Sequence, residues 1–385
     1  MARWRRPCSW RSWCSPTRCS DDCSSSRSFV LDLFDSSSGL VVLLRQSLPN
    51  RRAESWCKSR MAAAREAALR LPPLPTVRDL LRMYRIRAMR QLSQNFLMDP
   101  KLTRRLVKAA GKIRDHHVIE VGPGPGCLTR PLLELGARQV VVIEKDPRFL
   151  PSLQLLAEAA DNRLKIIMGD VFNYSMEDLI PQELGVPWEG PPPPVHVVGN
   201  LPFSVSTPLL VRWLRMASQR KGPFLHGRVP LTLTFQKEVA ERIVAPVMHV
   251  QRCRLSVMCQ AYCSVQHQLT LSGGSFFPKP DVDVGVVWLV PLVEPVIQQP
   301  FDLVEKVCNC LFNGRQKYLS NGLKNLFPSR HLDLAKDLVK LVEIDPQTRV
   351  VQLTVEEVGR ICQVYEHFCL EDAKLYEYNF RLGRW

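Results

Sequence analysis

The stretch VVGNLPFSVSTPLL, residues 197–210, ends a β-branched apolar run on Asn200, Leu201, Pro202 and Phe203. Asn200 brings a side-chain carbonyl, and the backbone beside Pro202 brings a second acceptor with no competing N–H from the proline. The exocyclic amine of an adenine is a poor nucleophile because its lone pair is delocalised into the ring. Two acceptors holding its N–H groups turn that lone pair toward an electrophilic methyl, so little general-base power is required. Phe203 offers a flat face on which a base stacks, a contact worth about 1–3 kcal/mol. In isolation the tetrapeptide reads better as an Asn-Pro turn with a core aromatic, so its meaning depends on its neighbours.

Those neighbours are other strand ends. EVGPGPG, residues 120–126, carries glycines at 122, 124 and 126, where the backbone can approach a ligand that a side chain would block. Such a turn alone is weak, because many tight turns bind nothing. The next strand closes on EKD, placing Glu144 twenty residues after Gly124, the interval at which an acid accepts hydrogen bonds from an adenosine ribose. A plain surface acid is the competing reading. The third strand closes on GDV, with Asp170 placed to bond an adenine amino group and Val171 to supply a backbone donor. A dinucleotide enzyme shares the glycines and the ribose acid, but is not expected to close its next strand with Asn-Leu-Pro-Phe.

The elements that carry these ends alternate. HHVIEV, QVVVIEKD, LKIIMGDV and VHVVGN are of strand length, and LTRPLLELGA and FLPSLQLLAEAA have helical period between them. Strand, helix, strand in alternation predicts a parallel sheet covered on both faces, with ligands gathered at its carboxyl edge. VPLTLTFQ, LSVMCQAYCSVQHQLTL and DVDVGVVWLVPL are expected to supply further strands. Upstream, Leu80, Leu81, Tyr84 and Ile86 suit one helix; Leu102, Leu106 and Val107 suit another, opened by Asp99-Pro100 and stopped at Gly111. Beyond about residue 293 the pattern is helical.

At 385 residues and 45% hydrophobic, the chain is long enough for an α/β core and a second, smaller domain. No run approaches the roughly 18 apolar residues that cross a bilayer, so a soluble protein with no membrane partner is expected. The formal charge of +15 favours a polyanionic partner. The 13 cysteines are scattered and lack metal-ligand spacing, which predicts reduced thiols and no metal. Residues 1–60 are a Ser-, Arg- and Cys-rich extension expected to be disordered, and at Met61 the text changes to MAAAREAALRLPPLP, basic and amphipathic like a mitochondrial transit segment. The expected organisation is this extension, a transit-like segment and N-terminal helix over 61–90, a catalytic domain over 91–292 and a helical domain over 293–385.

In order and spacing, QNFL (94–97), EVGPGPG (120–126), EKD (144–146), GDV (169–171), the Asn200 motif, TFQKEVAERI (234–243) and FPKPDVDVGVV (277–287) resemble the ribosomal RNA adenine N6-dimethyltransferase family, most closely its mitochondrial branch. The resemblance spans about residues 71–380. It implies a class I, Rossmann-like methyltransferase fold that binds S-adenosyl-L-methionine. It also implies dimethylation of two adjacent adenines in the 3′-terminal hairpin loop of mitochondrial small-subunit (12S) rRNA. Small-subunit assembly, a monomer and the mitochondrial matrix go with it. By the same resemblance Gln94, Asn95, Phe96 and Leu97 close over the cofactor, Gly122 and Gly124 pass beneath it, and Glu144 holds the ribose flanked by Lys145. Asp170 and Val171 recognise the cofactor adenine, and Asn200 serves cofactor and target. Leu201 and Pro202 shape the catalytic turn, and Phe203 and Phe277 sandwich the flipped adenine, with Pro278 and Pro280 shaping the pocket.

Two departures stand out. Cys127 lies where a small residue usually follows the glycines, and its thiol is expected either to alter the pocket modestly or to make it oxidisable. Arg315 and Lys317 flank Gln316 where consecutive basic residues are common, so one phosphate contact is lost. A competing reading is a mitochondrial transcription factor that binds nucleic acid, and the transcription machinery, through the same fold without catalysis. A binding protein, however, needs neither a ribose acid nor an amine-orienting asparagine. A DNA adenine methyltransferase shares the chemistry, and the basic C-terminal helices favour RNA over it.

Overall fold

The computed structural model describes residues 71–86 and 94–382. The extension over 1–60, the Met61 start and the cysteines before residue 61 lie outside the described residues.

β-Branched runs bury both faces of a central sheet. Its strands β2 (His117–Val121), β3 (Gln139–Glu144), β4 (Leu164–Met168), β5 (Val195–Gly199) and β6 (Leu231–Gln236) run parallel. β9 (Val284–Pro291) lies antiparallel between β6 and β7 (Cys263–Leu271), giving the order β4-β3-β2-β5-β6-β9-β7. Chain order reverses at β2, which pairs with β3 on one side and β5 on the other, opening a crevice at the carboxyl edge. The expected doubly covered α/β sheet is therefore present.

Register sets the level of the strand ends. Val121 pairs with Ile143 and with Gly199, so Gly122, Glu144 and Asn200 each stand one residue beyond the same rung. Gly199 pairs with Leu233, which puts Thr234 beside Asn200. A separate two-stranded ribbon joins β1 (Phe96–Leu97) to β8 (Phe276–Phe277), with Phe96 opposite Phe277. It brings the QNFL and FPKP segments together across 181 residues of chain, as the numbering of that pair shows.

Helices start where local chemistry supplies caps. α1 (Val77–Met83) opens on a reciprocal Thr76–Asp79 capping box, and α2 (Pro100–Ala109) on the Asp99 carboxylate, which accepts from the Lys101 and Leu102 amides. α3 (Thr129–Glu134) and α4 (Leu150–Ala159) follow the first two parallel strands, and α5 (Phe203–Ser218) starts directly after the Asn200 turn. α6 (Lys237–Val244) precedes α7 (Arg254–Tyr262). The first half of LSVMCQAYCSVQHQLTL is thus a helix and not a strand. Leu255, Val257, Met258, Cys259, Ala261 and Tyr262 are all buried, and a helix apolar all round shows no amphipathic period to distinguish it from a buried strand.

The C-terminal part is helical as expected, through α8 (Phe301–Leu311), α9 (Leu319–Lys324), α10 (Leu332–Val342), α11 (Val355–Glu371) and α12 (Lys374–Glu377). Its apolar faces continue the core on one side of the sheet, from Val197 and Leu233 through Val304 to Tyr365. The fully buried Arg252 guanidinium ties the parts together, donating to the Ala245 and Leu353 carbonyls and to Gln260 Oε1. Arg215 near the end of α5 pairs with Asp302 and Glu305 of α8 and lies over the Phe301 ring. Among the described residues, no helix is long and apolar enough to cross a membrane.

Candidate active site

The crevice at the switch point is lined by Gln94, Asn95, Phe96, Gly122, Gly124, Glu144, Asn200 and Pro202. Eight of the residues singled out in the sequence therefore meet in one cavity, joined there by Glu120 and Cys127. Leu97, Lys145, Asp170, Val171, Leu201, Phe203 and Phe277 do not line it.

The glycine turn is shaped as a cradle. Gly122 and Gly124 have φ of +67° and +55°, and a Cβ on them would come within 3.1 Å of Leu201 and 3.2 Å of the Phe96 ring. Leu201 is itself buried, so its part in the turn is to support the glycine backbone from beneath. Leu97 is buried in the second core cluster and anchors β1.

Glu144 is buried, and its two carboxylate oxygens accept the Gly124 and Asp146 amides, each at 2.8 Å. Burial raises its pKa, opposed by these backbone donors. Each oxygen keeps a further lone pair for a ligand hydroxyl. The carboxylate thus holds the cradle at the same time as it lines the cavity. Asp146 accepts from Gln94 at 2.9 Å and pairs with Arg148 at 2.5 Å. Burial alone would raise the Asp146 carboxyl, but Arg148 and Gln94 outweigh it and hold it below the ordinary range. Neither Asp146 nor Arg148 was singled out in the sequence, although Asp146-Pro147 is a legible cap.

Asn200 is held at both ends of its amide. Its Nδ2 donates to the Asn95 carbonyl at 3.2 Å, and its Oδ1 accepts the Thr234 hydroxyl at 2.9 Å. Thr234 is fully buried on β6, and no sequence signal marked it, because its partner lies 34 residues away. Lys145 bonds Asp170 at 2.8 Å and, with the Phe172 amide, holds that carboxyl below its ordinary value. Phe203 is half-buried against the core, whereas Phe277 is 60% exposed and stands outside the cavity.

Glu120 lies on the cavity wall with its carboxylate accepting the Thr129 hydroxyl at 2.7 Å. Burial pushes its pKa up to about 8, against that hydrogen bond, and Glu144 adds to the rise. Burial pushes the Cys127 thiol up to about 12, which favours its protonated form. No cluster of metal-ligating side chains occurs among the described residues.

Residues 85–367 match the family model described as Ribosomal RNA adenine dimethylase. The chain is similar to Mitochondrial dimethyladenosine transferase 1 of Bos taurus, 50% identical over 323 residues, covering 83% of this chain and 95% of that relative. It is also similar to Dimethyladenosine transferase 1, mitochondrial, of Homo sapiens, 49% identical over 321 residues, covering 83% and 93% of the two chains. In fold it resembles the crystal structure of a dimethyladenosine transferase from Plasmodium falciparum, with TM-score 0.54, 22% identity and coverage of 74% and 99%.

Proposed function

The chain belongs to the ribosomal RNA adenine dimethylase family, and on that premise we propose that it dimethylates N6 of two adjacent adenines in the 3′-terminal hairpin loop of mitochondrial 12S rRNA, in the matrix, during small-subunit assembly. The observation that carries this reading is Asn200, whose amide is oriented from both ends at the same sheet level as Gly122 and Glu144.

The cavity suits S-adenosyl-L-methionine. Its positive-φ glycines leave the room that a Cβ would fill, and its buried carboxylate keeps lone pairs free for a ribose. Glu144 and the Gly122–Gly124 backbone would hold the nucleoside, Asp170 and Val171 its adenine, and Gln94 to Phe96 the side facing β1. When bound, this cofactor supplies a methyl carried on a cationic sulfur.

The protein's work is positioning. Thr234 takes one lone pair of Asn200 Oδ1 and leaves the other for an N–H of the target amine. The backbone carbonyl beside Pro202 accepts the second N–H, and the nitrogen lone pair is then turned toward the methyl. After one transfer a single N–H remains, and Asn200 can still orient it for the second. Phe203 and the exposed Phe277 would stack the flipped base. A monomer carries all of these groups. A binding-only transcription protein has no need of a doubly oriented Asn200 amide facing the glycine cradle.

The test combines purified protein, labelled S-adenosyl-L-methionine and the rRNA hairpin, read by mass spectrometry. Dimethylation of both loop adenines by the natural chain, lost in Asn200→Ala with RNA affinity retained, is expected. Absence of transfer by the natural chain would remove the enzymatic reading, and full activity of Asn200→Ala would remove the role of Asn200.

A further inference from the structure

A second groove, of about 740 Å³, shares the β1–β8 ribbon with the candidate active site: Phe277 lines this groove and its strand partner Phe96 lines the other. Its walls are Arg78, Arg82 and Arg85 on one side and Met98, Phe277 and Pro278 on the other. Arg78 and Arg82 are one helical turn apart on α1, so both guanidiniums project from one face. Arg85 follows the end of the helix, and all three are exposed.

The three positive charges outnumber the carboxylates near them: Asp79 attracts Arg78 and Arg82 at a distance without contacting either. None of the three forms a salt bridge among the described residues. Asp79, the acid on the same helix, is engaged with Thr76 in the capping box, and Asp99 caps α2. Neither lines the groove.

The backbone adds a second observation. α1 ends with the Ile86 amide on the Leu81 carbonyl at 2.8 Å and the Arg85 amide on Arg82 at 3.1 Å, around an Arg85 of φ +52°. This left-handed position at a helix end favours glycine, because a Cβ there is strained. An arginine is held in it nonetheless, and its side chain lines the groove. Phe277, 60% exposed, also lines this groove.

We propose that this groove takes the sugar–phosphate backbone of the single-stranded rRNA next to the target adenine. Arg78, Arg82 and Arg85 neutralise its phosphates, and Phe277 separates the flipped base from the strand that carries it. The proposal rests on the reading of the chain as an rRNA-modifying enzyme. A polyanion is the occupant that three exposed guanidiniums without a salt bridge attract, and an exposed aromatic in the groove is what an unstacked base packs against.

The experiment measures hairpin binding by full-length protein over a salt series, for the natural chain and for R78Q/R82Q/R85Q. Three lost phosphate contacts to single-stranded RNA lower the slope of log K against log[salt] by about 2, and weaken binding at 0.1 M salt on the order of 10- to 100-fold. The KM for RNA rises more than kcat falls. R78K/R82K/R85K keeps the salt slope, since charge sets it, and unchanged S-adenosyl-L-methionine affinity in calorimetry shows that the glutamine variant is folded. An unchanged salt slope overturns the proposal. So does an arginine-dependent affinity for anionic phosphatidylglycerol vesicles with RNA binding unaffected, which would make the groove a lipid surface. If the natural chain binds the hairpin without methylating it, the enzymatic reading fails while the salt slope still decides the role of the groove.

Discussion

The Thr234 hydroxyl donates to Asn200 Oδ1 at 2.9 Å, from the residue after β5's last partner on the neighbouring strand and at the same level of the sheet. With the Asn95 carbonyl accepting from Nδ2, this bond fixes which end of the amide faces the target. Thr234→Val keeps the shape and removes the donor, leaving the amide free to flip. A fall in kcat of about 10-fold is expected, the value of one net hydrogen bond of ~1.4 kcal/mol, with little change in KM for RNA. Thr234→Ser restores the rate. Steady-state kinetics on the hairpin measure this, and an unchanged kcat in the valine variant would show that Asn200 is oriented without Thr234.

Gly124 and Glu144 act as one unit, because the carboxylate accepts the Gly124 amide and the glycine has φ of +55°. Gly124→Ala strains the turn and presses on the Phe96 ring, and Glu144→Gln replaces a carboxylate oxygen that accepts an amide with an NH2 that cannot. Each is expected to weaken S-adenosyl-L-methionine binding about 10-fold or more, corresponding to the ~1.5–3 kcal/mol of a hydrogen bond to a charged group. Calorimetry decides, and native affinity in both variants would exclude the cradle as the cofactor site.

Glu120 makes stability depend on pH. Its folded pKa of about 8 stands above its ordinary value of 4.5, so between those values the folded chain keeps a proton that the unfolded chain has lost. The contribution is fully present below about 4.5 and is lost as pH rises through about 8. Glu120→Gln is neutral throughout. Its melting temperature should gain steadily on that of the natural chain across this window, and parallel curves for the two proteins would contradict the buried proton.

Arg252 is expected to matter for stability and not for chemistry. Its guanidinium is fully buried, distant in sequence from the Asn200 turn, and satisfies the Ala245 and Leu353 carbonyls. Arg252→Met removes the donor to the Leu353 carbonyl and to Gln260 Oε1 in the interior, while the Ala245 carbonyl keeps Gln260 Nε2, and this costs about 2–4 kcal/mol. Chemical denaturation should show that loss while kcat at low temperature is preserved. A variant as stable as the natural chain would mean that water satisfies the freed acceptors.

The Arg252 and Thr234 contacts mark the boundary of what sequence reading reaches. Residues 120–126, 144 and 197–203 were legible because each is a local event: a β-branched run stops and a residue with special backbone freedom or a polar side chain follows at once. α7 was not legible in the same way. A segment buried on every side carries the same apolar run whether helical or extended, and the Cys253–Ser256 cap that starts it is a weak signal.

The sequence by itself determined the alternating elements, the positive charge and the residues that close each strand, since these follow from local periodicity and composition. Only the tertiary structure decided which of those ends share a level. Hydrogen-bond register across β2, β3, β5 and β6 places Gly122, Glu144, Asn200 and Thr234 together, and register is set by strand pairing between distant segments. The β1–β8 ribbon likewise sets Phe277 opposite Phe96, one lining the arginine groove and the other the crevice. Spacing along a chain says nothing about such neighbours, because their contact depends on the folded path and not on the residues between them.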